Sequence, residues 1–159
     1  MTYKTIYKYI KELDINLNNI KILSSVINPY TRIISDLFHF KKVNINSTQE
    51  EPYNLIKSYI ASEGSLYDNH NIPQYQFLID DNNELIKNID IIRTESLTKD
   101  MIALGYSDFD IKNQVNVNIH NIDLKLDYYS YLNNDSIKLI NEFYNLDFQL
   151  FNYDKIIIE

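Results

Sequence analysis

The chain has no cysteine, no tryptophan, only two glycines and three prolines, and no long apolar run. Without cysteine there is no disulfide, no thiolate metal site and no thiol nucleophile, which suits a reducing compartment. Gly64 and Gly105 are too far apart for a Gly-x-Gly-x-x-Gly turn, and there is no Gly-Lys-Ser/Thr loop or Gly-x-Ser-x-Gly elbow. No stretch approaches the roughly 20 apolar residues of a membrane span. The start, "MTYKTIYKYIKELD", lacks the apolar centre of a signal peptide. Positive charge is scarce as well: 15 Lys and Arg against 22 Asp and Glu leave a net charge of −7. A general binder of nucleic acid or of anionic membrane needs a basic face, so those classes recede. A local positive pocket remains open. The expectation is a soluble, cytoplasmic protein.

What is present fits one folded domain over residues 1–159, with 45% hydrophobic and 23% charged residues. No linker, repeat or long charge block divides it. Ile6, Ile10 and Leu13 stand at helical spacing in residues 2–13. "IKILSSVI" (20–27) is apolar at both parities, which predicts a strand covered on two faces. Pro29 suits the first turn of a helix running to about Lys42, because its missing N–H has no partner there anyway. A second helix is expected after Ser47 or Thr48 as cap, with Leu55, Ile56, Tyr59 and Ile60 inward and its end near Gly64.

"QYQFLI" (74–79) and "IDIIRT" (89–94) read as extended, the latter buried, with the turn "DDNNE" between them. A short helix is expected from Ser96 to Gly105. Ile137, Ile140, Tyr144, Phe148 and Phe151 mark one later helical stripe. Strands alternating with helices predict an α/β domain with a largely parallel sheet flanked by helices.

The segment "VINPYTRIISDLFHF" (26–40) carries the first chemical signal. A strand ends at Asn28-Pro29, and the helix that follows holds Arg32 and Ser35 three residues apart on one face. In open α/β sheets ligands collect where strands end and helices begin, and a helix N-terminus favours an anion. A guanidinium fork with a hydroxyl is a sensible grip on a phosphate. The bland alternative is a surface ion pair for Arg32 and packing for Ser35.

"NPYTRIISDLFHF" resembles the segment of the sulfotransferase family that holds the 3′-phosphate of the sulfate donor PAPS. That family pattern is Arg-Asn-Pro-x-x-Arg-x-x-Ser, and Asn28, Pro29, Arg32 and Ser35 fall on it in register. "HNIPQYQFL", from His70, resembles the His-x-x-Pro-Gln segment of the carbohydrate-type branch. "IDIIRTESLTKDMIALG" is similar to a strand ending in Arg-aromatic-Glu before a helix. The closing run, with Tyr144, Asp147, Phe148, Phe151 and Tyr153, resembles the acidic-aromatic end of the family. The resemblance spans about residues 20–153. It implies a P-loop-NTPase-like sulfotransferase fold with a reduced N-terminal portion. It further implies PAPS (PAP after transfer) as the nucleotide donor and a hydroxyl, carbohydrate-like acceptor. Arg32 and Ser35 would hold the 3′-phosphate, and His70 would be the base that takes the acceptor proton.

Three departures set a competing expectation. Ile27 stands where the family has the first phosphate-binding Arg, and Thr94 where it has an aromatic. The family's Lys-Thr-x-x-Thr-Ser phosphosulfate loop has no full counterpart: Thr2 and Thr5 keep the Thr-x-x-Thr spacing, but Met1 takes the Lys position and only Lys4 could substitute. Sulfuryl transfer depends on charge stabilisation at the leaving oxygen, and one lost donor commonly costs ~10²–10³ in rate. The alternative is therefore a catalytically inactive sulfotransferase-fold module for binding or structure. An unrelated interaction domain is a third, weaker reading.

Other candidates carry bland readings beside sharp ones. His70 could be a histidine satisfied within the fold, and His39 lies on the helix after the phosphate motif. His120 has no partner at ligand spacing, so no metal site is expected. Glu95 is expected to anchor the helix that follows it, through backbone N–H groups. Lys125 could lie near the donor or in solvent.

Overall fold

The computed structural model describes residues 2–16, 20–87, 89–109 and 126–158. Its elements run α1 (Tyr3–Glu12), β1 (Ile22–Val26), α2 (Pro29–His39), α3 (Glu50–Ala61), β2 (Ile89–Arg93), α4 (Leu97–Ala103), α5 (Asn134–Phe143) and α6 (Asn145–Leu150). Among the described residues, four short 3₁₀ turns at Gly64–Tyr67, Gln74–Phe77, Thr94–Ser96 and Tyr128–Tyr131 lie between them. The class is α/β. Among the described residues the sheet has two strands, β1 and β2, parallel and paired from Ile22↔Ile89 to Val26↔Arg93. His120 and Lys125 lie outside the described residues.

The main core is helical rather than sheet-centred. Tyr30, Ile33, Ile34 and Leu37 of α2 pack with Ile56 and Tyr59 of α3 and with Ile137, Ile140, Tyr144 and Phe148 of the closing helices. A smaller cluster joins Val26 to Leu78 and Phe151, with Ile89 and Ile91 against it. That cluster occupies one face of the sheet. On the other face Leu23 is exposed while Ile92 is buried, so β1 is not covered on both sides as its composition suggests. Two strands offer too little area to hold a helix layer on each face.

Local chemistry explains the boundaries. Asn28 caps α2 by accepting the Tyr30 N–H at 2.9 Å, with Pro29 at the first helical position. α2 stops at His39, three residues short of Lys42, and Lys41 turns the chain at a φ of 55°. Neither Ser47 nor Thr48 caps α3: Gln49 occupies the cap without a side-chain bond, and Ser47 instead accepts from the Asn44 N–H at 3.2 Å. The first four residues of "QYQFLI" form a 3₁₀ turn and are not extended, because Asp147 binds the first two N–H groups of that turn, while Ile79 makes an isolated antiparallel bridge with Leu85. The closing stripe divides into two helices at Tyr144, with all five predicted stripe residues buried.

Around α4, Asp100 accepts from the Arg93 N–H at 2.8 Å and from the Ser96 hydroxyl at 2.9 Å. The Arg93 N–H, then the Ser96 hydroxyl, hold its carboxyl below the usual carboxylate range. A depressed acid stabilises the fold above its unfolded value and loses that contribution as pH falls through the folded one. Asp100→Asn should therefore lower the melting temperature at neutral pH and flatten its acid limb, the difference from wild type closing as pH falls through the folded value. An unchanged acid limb would show that Asp100 carries none of it.

Candidate functional site

The residues that resemble the phosphate motif sit at the end of β1. Arg32, Ser35 and Asp36 lie on one face of α2, and across from them runs the loop 68–72. Asp68 and Asn69 take left-handed conformations, with φ of 49° and 66°, a geometry that short polar side chains tolerate. Gly64 lies beneath this loop, where a Cβ would come within 2.5 Å of Asn69 Oδ1 and 2.9 Å of Ile72 Cδ1. Between helix and loop is an open cleft of about 400 Å³, lined by Ile27, Arg32, Ser35, Asp36, Asp68, Asn69, His70 and Phe77.

Arg32 is committed to the scaffold. Its guanidinium donates to the Ile72 carbonyl at 2.9 Å and to the His70 carbonyl at 2.5 Å. One turn further along α2, Asp36 holds the same loop by its side chain: His70 Nδ1 lies 3.1 Å from Asp36 Oδ1. The Tyr59 hydroxyl donates to the other carboxylate oxygen at 2.7 Å. The Asp36 side chain is 12% exposed and the His70 side chain 47%, so a largely buried carboxylate orients a ring that reaches solvent. Burial first, then Asp36, pushes the Tyr59 phenol far upward, which keeps it a donor. The His39 ring stacks on His70 with centroids 6.1 Å apart, and the Phe40 ring meets it edge-on.

The four segments that carry the family resemblance meet in one hydrogen-bonded network behind this cleft. Gln74 clamps Ile27 at two points, its Oε1 accepting the Ile27 N–H at 2.9 Å and its Nε2 donating to the Ile27 carbonyl at 2.8 Å. Asp147, fully buried, accepts from the N–H groups of Gln74 and Tyr75, both at 2.8 Å. Burial pushes its carboxyl up, against the pull of those two N–H groups. The Tyr144 hydroxyl donates to the Asn71 carbonyl at 3.0 Å. From β2, Thr94 donates to the Val26 carbonyl at 3.0 Å.

Glu95 does not anchor the helix after it. Its two oxygens accept from the Asn28 N–H at 2.6 Å and the Tyr153 hydroxyl at 2.9 Å. Parallel pairing explains this: Val26 is in register with Arg93, so Glu95 emerges beside Asn28.

Of the expected site residues, Arg32, Ser35 and His70 come together in the cleft, while Thr5 and Lys4 do not join them. Thr5 belongs to the N-terminal cap of α1, its hydroxyl 3.0 Å from that of Thr2. Lys4 binds Asn83 at 3.3 Å and lines a separate cavity with Tyr3, Tyr7 and Asp80. Among the described residues no cluster of His, Cys, Asp and Glu could hold a metal ion, and no helix is long and apolar enough to cross a membrane.

Asp36 and Tyr59 are the site residues that spacing failed to single out. The available signal was an acid inside the apolar helical run "IISDLFHF", four residues after Arg32, since an acid there is buried only if partnered. Comparison of the chain with protein-family models, with curated proteins and with solved structures gives no match.

Proposed function

We propose that this chain is a sulfotransferase-like module that binds a neutral, hydroxyl-rich ligand of carbohydrate type in the Arg32–His70 cleft, without turning over PAPS. The observation that carries this reading is the engagement of the Arg32 guanidinium by two backbone carbonyls. With two Arg32 donors held by carbonyls, Asp36 and Asp68 outnumber the guanidinium charge in the cleft lining and disfavour a phosphate dianion, and exposed Asp68 accepts hydrogen bonds from hydroxyls. Ser35, Asn69 and His70 add short polar contacts, and Phe77 with Ile27 offers apolar surface to the C–H face of a sugar. A volume of about 400 Å³ suits a small molecule. Kinship with the sulfotransferases rests on the four resembling segments and their shared network; on this reading the two-stranded sheet is a reduced P-loop-NTPase-like core.

Thermal-shift titration tests the proposal. N-acetylglucosamine and its short oligomers at millimolar concentration should raise the melting temperature by a few degrees, and His70→Ala and Phe77→Ala should remove the shift. PAP should give none. A PAP-induced shift that Ser35→Ala abolishes would overturn the assignment.

A second reading, PAPS-dependent sulfuryl transfer to a hydroxyl, is favoured by the placement of His70 beside a buried carboxylate inside the cleft. There Ser35 and Arg32 would meet the 3′-phosphate and His70 would take the acceptor proton. Thr5 and Lys4 could serve the phosphosulfate only after α1 left the 80–83 turn. Radiolabelled sulfate transfer from PAPS onto glycan acceptors, lost in His70→Ala, would support it, and absence of His70-dependent transfer would sink it.

A further inference from the structure

We infer that Asp36 is a positioning residue that fixes His70 as the Nδ1–H tautomer, leaving Nε2 to accept a hydrogen bond from a ligand hydroxyl in the cleft. This rests on reading the cleft as a hydroxyl-binding site, but the tautomer itself can be measured without any ligand.

Asp36 has two oxygens with distinct partners. Oδ2 is taken by the Tyr59 hydroxyl at 2.7 Å, and Oδ1 faces His70 Nδ1 at 3.1 Å. A carboxylate oxygen can only accept, so Nδ1 must carry the hydrogen. In a neutral imidazole the other nitrogen is then a bare acceptor. Among the described residues Nε2 has no hydrogen-bond partner of its own.

The rest of the surroundings hold the ring in place. Arg32 ties the His70 carbonyl to the same helix one turn earlier, so backbone and ring are pinned at two points four residues apart. His39 stacks on one face and Phe40 meets the ring edge-on. The charged and titratable groups around His70 are thus Asp36, Arg32 and His39, with Asp68 lining the same cleft. A second-neighbour partner that sets a tautomer is the usual way to give an imidazole one defined role. Here it selects a ligand that donates, such as a hydroxyl, over one that only accepts, such as a phosphate dianion.

The experiment is long-range ¹H–¹⁵N correlation spectroscopy of the imidazole rings in the full chain, above the ordinary imidazole titration range, with His70→Gln to assign the signal. His70 should appear with Nδ1 protonated and Nε2 bare. Asp36→Asn should shift population toward the Nε2–H form, whereas Tyr59→Phe, which keeps Asp36, should preserve Nδ1–H. If Asp36→Asn does not fold, the wild-type spectrum decides alone. Wild-type His70 protonated at Nε2, or a spectrum that Asp36→Asn leaves unchanged, would overturn the inference. The two failures are separable: a reversed tautomer defeats the role of Asp36 whatever sugars bind. An Nδ1–H ring with no sugar-induced shift keeps that role and removes the ligand reading.

Discussion

Asp147→Ala should lower stability by about 2–4 kcal/mol, which for a chain of this size is a fall of roughly 5–15 °C in melting temperature. The carboxylate is 0% exposed and holds the N–H groups of Gln74 and Tyr75, both at 2.8 Å. Alanine leaves two inward-facing donors without acceptors, each costing about 1–3 kcal/mol, and relief of the buried charge offsets part of that sum. Asp147→Asn should recover little. An amide has one oxygen for two N–H groups, and its NH₂ would oppose the second. Urea unfolding of the three proteins is the check. A fully stable asparagine variant would show that one of these hydrogen bonds carries no weight.

The consequence reaches the cleft. Gln74 starts the 3₁₀ turn that Asp147 holds, and its side chain clamps Ile27 at the mouth of α2. Loss of Asp147 should therefore loosen the Ile27–Asn28 junction, seen as faster amide exchange at Ile27 than in wild type.

Arg32→Ala should destabilise the chain in the absence of any ligand, by about 2–3 kcal/mol. Hydrogen bonds from a charged donor contribute about 1.5–3 kcal/mol each, and two are lost here, discounted because the guanidinium is partly solvated. Amide protection at residues 70–72 should fall with it. Arg32→Lys should restore less than half, since an ammonium lacks the planar fork that spans two carbonyls. The contrary result is equally plain: an alanine variant as stable as wild type that has lost PAP binding would return the guanidinium to a phosphate. Global stability and nucleotide binding thus discriminate between Arg32 as brace and Arg32 as ligand contact.

The sequence by itself determined where the main helical segments lie and which residues of α3 and the closing stripe face inward. Helical spacing located α1, α2, α3 and the closing stripe, and Asn28-Pro29 marked the entry to α2, because cap chemistry and apolar period are local properties. Arg32, Ser35 and His70 were singled out by residue type and resemblance, and the folded chain brings them to one cleft. Three things were decided only by the tertiary structure. Arg32 spends its fork on the loop 70–72, Glu95 reaches back to Asn28, and Asp147 turns "QYQF" from an extended segment into a 3₁₀ turn. Each is a bond between groups 38 to 73 positions apart. A side chain's type fixes what it can bond to, but not which partner the folded chain brings within about 3 Å of it.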